Sequence, residues 1–340
     1  MSTTRITSAE VARRAGVSQS AVSRVFTPGA SASPSTIEKV RKAAAELGYR
    51  PNVLARAMVS GKSRIIGLVV AYLENYFYPE ALEKLSNALQ AKGYHVLIFM
   101  ARQTADNVDD VVDEILDYQV DGIIAASVAL SSDLAQRCRE AGVPIVFFNR
   151  TQGDRAFSAV TSDNRAGGRR VAEFLAAGGH RRIAHVAGWE GASTQAEREA
   201  GFREGLAAAG LPLHARAVGN FVLDQARDAA RALFAAPERP DAVFVANDHM
   251  AFGVMDVLRY ELGLSVPGDV SVIGFDDVPP AAWPAYDLTT VRQPAERMVA
   301  ETVDLLLGQI DTPGGPVRRA VIDAPLVVRS SARLPEGYAA

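Results

Sequence analysis

The chain has 340 residues, 48% hydrophobic and 22% charged, enough apolar material for two or three packed domains and far from disordered or collagen-like classes. Its single cysteine, Cys138, cannot close an intramolecular disulfide and has no Cys/His cluster around it, which suits a reducing compartment and makes a structural zinc site unexpected; no cofactor is expected either. The net charge of -3 divides unevenly: residues 1–64 hold eleven Lys/Arg against three Glu, a surplus of +8, which leaves -11 on the remainder.

A small basic head on a larger acidic body points to a polyanion-binding module joined to something else, with a merely solvated charged face as the competing reading. From Thr7 to Leu47 the apolar positions recur at helical spacing, and three start signals divide the segment into three short helices. Thr7 with Glu10 makes a capping box, Ser18 caps a second helix running to about Phe26, and Ser33 before Pro34 opens a third that Gly48 stops. Val11, Ala12, Ala15, Val17, Val22, Val25, Ile37, Val40, Ala44 and Leu47 are the expected core of this unit. The polar N-terminus carries Arg5, Arg13 and Arg14 with no apolar run behind them, which predicts a chain kept in the cytoplasm.

Within this head, AEVARRAGVSQSAVSRVF (residues 9–26) has helix-turn-helix spacing, Gly16 supplying the turn. Gln19, Ser20, Ser23 and Arg24 fall outside the Val22/Val25 stripe and are free for a DNA groove, Arg24 toward guanine or a phosphate. A small structural bundle is the alternative, but it leaves the charge unexplained. Next, Asn52 can cap a short helix from Val53 to about Val59, too short to be stable alone. DNA could order it, with Arg56 and Lys62 near phosphates and Met58 as a minor-groove wedge; a plain linker is the competing reading.

After Ile65 short β-branched runs alternate with amphipathic helical segments, the pattern of βαβ units. Strands are expected near 65–72, 94–100, 120–127 and 144–148, then near 182–187, 215–222, 241–246 and 270–275. Helices are expected near 79–92, 106–118 and 131–142, then near 164–178, 194–210, 224–236 and 248–262. Eight parallel strands are more economically housed in two α/β lobes than in one sheet. Residues 288–328 should supply a strand, a helix over about 295–307 and another strand, crossing back between the lobes. The longest apolar stretches, such as Ile65–Leu73, are about half the roughly 20 residues of a membrane span, so no membrane partner is expected.

Ligands of doubly wound sheets bind beyond the carboxyl ends of the strands. There this chain presents Leu73, Asn75, Tyr76 and Phe77, then Asn149 and Arg150, Phe221, Asn247 and Asp248, and Asp276 and Asp277, with Arg198 on the helix after Ala187. Amide, guanidinium and carboxylate groups beside an aromatic face suit a sugar. The plainer readings are that Asp163 and Asp248 cap helices, that Asp277 is a loop carboxylate, and that Arg150 is an inter-lobe ion-pair partner. No Walker loop, Gly-x-Ser-x-Gly elbow, His-Glu-x-x-His or dinucleotide fingerprint occurs, and His95, His180 and His185 are scattered, so catalysis is not expected.

The strings EVARRAGVSQSAVSRVF, EKVRKAAAELGYRPNVLARAMVSGKSRIIGLVV, FVANDHMAFGVM, VSVIGFDD and LTTVRQP closely resemble the LacI/GalR family of bacterial transcription regulators, along nearly the whole chain. The resemblance implies a three-helix DNA-binding head (1–50) and a hinge helix (51–63) joined to a two-lobed periplasmic-binding-protein-like (type I) core of two doubly wound parallel sheets. Its lobes would be 64–161 with 292–322, and 162–291 with 323–340. By resemblance Gln19, Ser20 and Arg24 match base-contacting positions, and Asn52, Ala55 and Met58 the hinge helix, Met58 replacing the usual leucine. Asn149, Arg198, Phe221, Asn247 and Asp276 match ligand-binding positions. The family implies a homodimer on a pseudo-palindromic double-stranded operator, with 79–92 and 94–100 as dimer contacts, and control by a small-molecule effector, a carbohydrate. The set expected to meet DNA is completed by Thr7, Ser18, Ser23, Ser33 and Arg56. A sugar-binding protein whose basic head contacts RNA or a protein partner is the alternative.

Overall fold

The computed structural model describes residues 6–27, 30–50, 62–101, 108–126, 128, 132–151 and 157–337. Asn52, Ala55, Arg56 and Met58 lie outside the described residues. The chain divides after Arg64 into two units.

In the first unit each helix begins where a side chain can take up a free backbone N–H. Helix α1 (Ser8–Ala15) carries the complete Thr7/Glu10 box: the Glu10 N–H donates to Thr7 Oγ1, and the Thr7 N–H donates to Glu10 Oε2 at 2.7 Å. Gly16 ends it at φ 66°, a left-handed conformation that costs glycine little. Ser18 caps α2 (Gln19–Val25), and Ser33 with Pro34 opens α3 (Pro34–Leu47). Val11, Ala12, Val22, Val40, Ala43 and Ala44 are buried between them, with Ala15, Val17, Val25 and Leu47 packed partly buried at the margin. Ile37, expected in this core, is only half-buried, and Ala43 takes its place because the inward face of α3 passes through 40, 43, 44 and 47.

The second unit is built on two six-stranded sheets. The first contains β1 (Ile65–Val70), β2 (His95–Met100), β3 (Gly122–Ala126), β4 (Ile145–Phe148), β5 (Ser158–Ser162) and β11 (Arg319–Ile322) in the order β11-β5-β4-β3-β1-β2, all parallel. Between its strands run α4 (Phe77–Ala91), α5 (Val108–Asp117) and α6 (Ser132–Glu140). The second sheet contains β6 (Ile183–Ala187), β7 (Ala215–Val218), β8 (Ala242–Val245), β9 (Ser271–Asp276), β10 (Thr289–Arg292) and β12 (Leu326–Val327) in the order β12-β10-β9-β8-β6-β7. Its helices are α7 (Asn164–Ala177), α8 (Ser193–Ala208), α9 (Leu223–Ala235) and α10 (Asp248–Asp256). After β10 the chain returns to the first sheet, where α11 (Ala295–Asp311) packs against α4, β4 and β5.

Strands β1, β3, β4, β6, β8 and β9 are buried at every residue, as expected for parallel strands covered on both faces. Side chains such as Phe147, Phe148, Phe244 and Phe275 are wholly enclosed, each contributing on the order of 1.5–3 kcal/mol.

Four expectations are corrected. The strand expected over 215–222 stops at Val218, because Asn220 and Phe221 take φ of 53° and 62° and turn the chain. The helix expected over 248–262 is α-helical only to Asp256 and closes in a π turn over Val257–Glu261. Strand β5, reading SAVTS, lacks an apolar run; its burial comes from its neighbours, with Ser158 Oγ accepting from Gln309 Nε2 and the Arg318 N–H. The last segment holds two strands after its helix, and β12 pairs antiparallel with β10, Thr290 opposite Val327.

Candidate functional site

Helix α2 presents Gln19, Ser20, Ser23 and Arg24 to solvent on the side away from buried Val22. Ser18 spends its side chain on the Ala21 N–H and lies 3.0 Å from the Ser20 hydroxyl. Gln19 Nε2 donates to Ser8 Oγ at 2.9 Å, tying the first residues of α1 and α2 together. Arg24 Nε donates to the Ser20 carbonyl, and the Ser23 carbonyl accepts from Thr27 Oγ1. Thr7 and Ser33, expected at DNA, are exposed at helix starts, where they act as caps.

In the second unit, polar side chains from the strand ends of both sheets converge out of solvent. Helices α7 and α8 cross on glycines so closely that a Cβ at Gly168 would overlap the Arg198 carbonyl, and one at Gly201 the Arg165 carbonyl. This approach delivers Arg198, 3% exposed, into the interior. Its Nε donates to Asn164 Oδ1 at 2.9 Å, and its Nη1 to the Ala246 carbonyl at 2.6 Å. Its guanidinium lies 3.7 Å from the Phe275 ring centroid, with Nη2 3.6 Å from Asp276 Oδ1. Asp276 accepts from Asn75 Nδ2 at 3.0 Å and from Gln293 Nε2 at 2.6 Å, so one carboxylate joins the loop after β1 to the end of β9 and the segment after β10. Burial pushes the Asp276 carboxyl above the usual carboxylate range, with Arg198 opposing.

Asn149, at φ 70° after β4, donates from Nδ2 to the Tyr78 hydroxyl at 3.0 Å. Its Oδ1 is buried without a hydrogen-bond partner among the described residues. Asn247 caps α10, accepting from the Met250 N–H, and its Nδ2 is likewise buried and without a partner. Arg150 is buried with its guanidinium 5.5 Å from the Phe221 ring and 5.8 Å from the Trp189 ring. The Phe221 ring rests on Gly188, whose Cα leaves no room for a side chain there. The Gly188 N–H donates to Gln195 Oε1, and Gln195 Nε2 donates to Glu199. His185, behind them, contacts Gln195 and the Phe244 carbonyl; burial pulls its pKa down to about 4, so it is neutral.

Asn75, Asn149, Arg150, Arg198, Phe221, Asn247 and Asp276 are therefore all buried at strand ends or on the helices that follow. Three other expectations differ. Leu73 and Tyr76 point outward, 40% and 47% exposed, because the loop after β1 turns Asn75 inward but not these two. The Phe77 ring stacks on Phe148 in the core, and Phe77 is among the residues lining a cleft of about 370 Å³ beside Asp276. Tyr72, Tyr78 and Trp189 were not singled out from the sequence. Tyr72 and Tyr78 meet edge to face at 5.4 Å, and burial raises the Tyr72 phenol far above its ordinary value. An aromatic-rich loop, YLENYFY (residues 72–78), is the sequence signal for the two tyrosines, and nothing comparable marks Trp189.

The acidic residues follow the plainer readings only in part. Asp163 caps α7 through the Ala166 N–H. Asp248 is not the cap of α10; it accepts from Thr290 Oγ1 at 2.5 Å and the Val278 N–H at 3.0 Å. Burial, then the Asp276 charge, pushes its pKa up to about 8. Asp277 is more than a loop carboxylate, since Arg292 and Arg329 each donate to it at 2.6 Å. Among the described residues no His/Cys/Asp/Glu group is arranged to hold a metal ion, and no helix is long and apolar enough to cross a membrane.

Residues 7–52 match the family described as bacterial regulatory proteins, lacI family, and residues 172–332 match a periplasmic binding protein-like domain. The HTH-type transcriptional regulator CelR of Thermobifida fusca is 35% identical over 330 residues, covering 94% of this chain and 96% of that protein. The chain belongs to the LacI family. This LacI-family protein is thus a sequence-specific DNA-binding transcription regulator whose operator affinity answers to a small-molecule effector. The structure of a lac repressor dimer bound to operator and the anti-inducer ONPF superposes with a TM-score of 0.87 at 27% identity, covering 96% of this chain and 99% of that one. A CelR–cellobiose complex superposes with a TM-score of 0.73 at 34% identity, covering 96% of this chain and all of that one.

Proposed function

We propose that this LacI-family regulator is a homodimeric, cytoplasmic repressor whose effector is a carbohydrate held between the strand ends of its two sheets. Asn75, Asn149, Arg150, Arg198, Phe221, Asn247 and Asp276 form its binding set, with Tyr78 and Trp189 added from the geometry. The observation that carries this reading is the pair of buried amide atoms, Asn149 Oδ1 and Asn247 Nδ2, one from each sheet. Each costs about 1–3 kcal/mol while it lacks a partner. A hydroxyl donates as well as accepts, so the hydroxyls of one sugar can meet both atoms, while an aromatic ring covers its apolar face. The CelR–cellobiose complex lends the carbohydrate class further support.

The lobes are 64–161 with 292–322 and 162–291 with 323–340. Asp276 joins them, so an effector that rearranges its partners changes the inter-lobe angle. In a dimer that shift alters the spacing of the two hinge segments, which carry Asn52, Ala55, Arg56 and Met58. By linkage, operator then changes effector affinity by the same factor. The reading helix offers Gln19, Ser20, Ser23 and Arg24, with Thr7, Ser18 and Ser33 near phosphates. No chemical step is assigned to the cleft: Asp276 is committed to Asn75, Gln293 and Arg198, and His185 is neutral and enclosed.

Calorimetric titration of the full chain with a panel of mono- and disaccharides, run beside gel shifts on duplex DNA, tests the proposal. One sugar should bind and change operator affinity, and Asn149→Ala and Asn247→Ala should each weaken that binding about tenfold or more. Sugar binding undiminished in both variants would remove the cleft from the mechanism.

A further inference from the structure

Of the exposed side chains on the reading helix, Gln19 has its amide tethered to another helix. Ser8 is the first residue of α1 and Gln19 the first of α2, and Gln19 Nε2 donates to Ser8 Oγ at 2.9 Å. Neither residue is buried, so the bond adds little to the core. It does restrict a side chain that otherwise samples several rotamers, and a long side chain fixed in advance loses less entropy when it docks. The backbone under Ser8 is itself fixed by the Thr7/Glu10 box, and that under Gln19 by the Ser18 cap. Both ends of the tether therefore stand on capped helix starts.

The tether also decides which atoms of Gln19 face outward. With one N–H turned to Ser8, the carboxamide keeps Oε1 as an acceptor and its second N–H as a donor. In the major groove adenine offers the complementary pair, an N6 amine that donates and an N7 that accepts. Ser8 accepts from Gln19 and keeps its own O–H to donate.

We propose that Ser8 is a positioning residue for base recognition: it holds the Gln19 carboxamide so that Gln19 reads an adenine at one position of each operator half-site. The proposal rests on the regulator reading of the head and adds Ser8, together with the base read, to it.

The test selects the operator of the full-length protein from a randomised duplex library, then measures affinity for every single-base change of one half-site. Adenine should be preferred at one position, by about tenfold or more over the other bases. Gln19→Ala should erase that preference. Ser8→Ala should reduce it severalfold at the same position and leave selectivity elsewhere intact, whereas Ser8→Thr, which keeps a hydroxyl, should restore it. In the Gln19→Ala background, Ser8→Ala should then have no further effect on base choice. An unchanged thermal midpoint excludes a folding explanation for either variant. A Ser8→Ala protein that lost affinity equally on every sequence would show a phosphate contact instead, and one with an unaltered base profile would show an idle bond; both outcomes overturn the proposal. Failure of the wild-type chain to select any duplex sequence would sink the regulator reading itself.

Discussion

Gly168 lies directly against the backbone carbonyl of Arg198, with no space for a Cβ between the two helices. The placement of Arg198, the cation of the buried polar cluster, thus depends on the absence of a side chain on the neighbouring helix. Gly168→Ala should force α7 and α8 apart at a backbone contact that has no flexible end to yield. The expected cost is about 1–3 kcal/mol or more, read as a lower midpoint in urea, together with a weakened effector response. An alanine variant with unchanged stability would show that the helices shift freely there.

Arg198→Ala should uncouple the two activities. It leaves the Asp276 carboxylate, 3% exposed, without its cation, and breaking such a pair costs about 3–5 kcal/mol unless the acid takes up a proton. Effector binding should be lost in calorimetry while gel shifts still detect operator binding. Arg198→Lys should not restore the response, because one ammonium cannot reach Asn164, Ala246 and Asp276 in the planar arrangement the guanidinium uses.

Asp248 makes stability depend on pH. Its pKa is raised in the folded protein, from 3.8 to about 8, so the folded state holds its proton more tightly than the unfolded chain. Its contribution is fully present below about pH 4 and is lost as pH rises toward 8, with a slope of up to about 1.4 kcal/mol per pH unit. Asp248→Asn keeps a neutral side chain of similar size throughout and should flatten that slope. The comparison requires urea midpoints for both proteins at pH 5, 6, 7 and 8; parallel curves would mean that Asp248 does not titrate in this range.

Operator binding should be strongly salt-dependent, log affinity falling by about 0.9 per decade of salt for each phosphate neutralised. Arg24 is exposed beside Ser20 at the reading face. If it pairs with guanine, Arg24→Ala should cost about 1–3 kcal/mol at one base position. If it clamps a phosphate, the salt slope should drop by about one unit with selectivity kept. Neither change appearing in fluorescence anisotropy titrations would remove Arg24 from the interface.

Much of the head was readable because its determinants are local. The Thr7/Glu10 box, the Ser18 and Ser33 caps, and the turns at Gly16 and Gly48 each depend on residues within one helical turn, and all occur as expected. The strand ends were readable for a related reason: runs such as AVFV and SVIGFD mark where a buried parallel strand stops, so that Asn247 lies two residues past the end of β8 and Asp276 is the last residue of β9. Loops have no such period. Nothing in LENYF distinguishes inward Asn75 from outward Leu73 and Tyr76, and nothing in AND decides that Asn247 rather than Asp248 caps α10.

The order of polar and apolar residues by itself determined three capped helices, two series of parallel strands and the amides and acids at the strand ends, since each follows from chain neighbours and side-chain period. Tertiary structure alone decided that Gly168 would seat Arg198, that Asp276 would bind Asn75 and Gln293 at once, and that burial beside Asp276 would raise the Asp248 carboxyl above the usual carboxylate range. Those outcomes require groups up to two hundred residues apart to share one enclosed volume, where burial strengthens every charge and every unmet hydrogen bond.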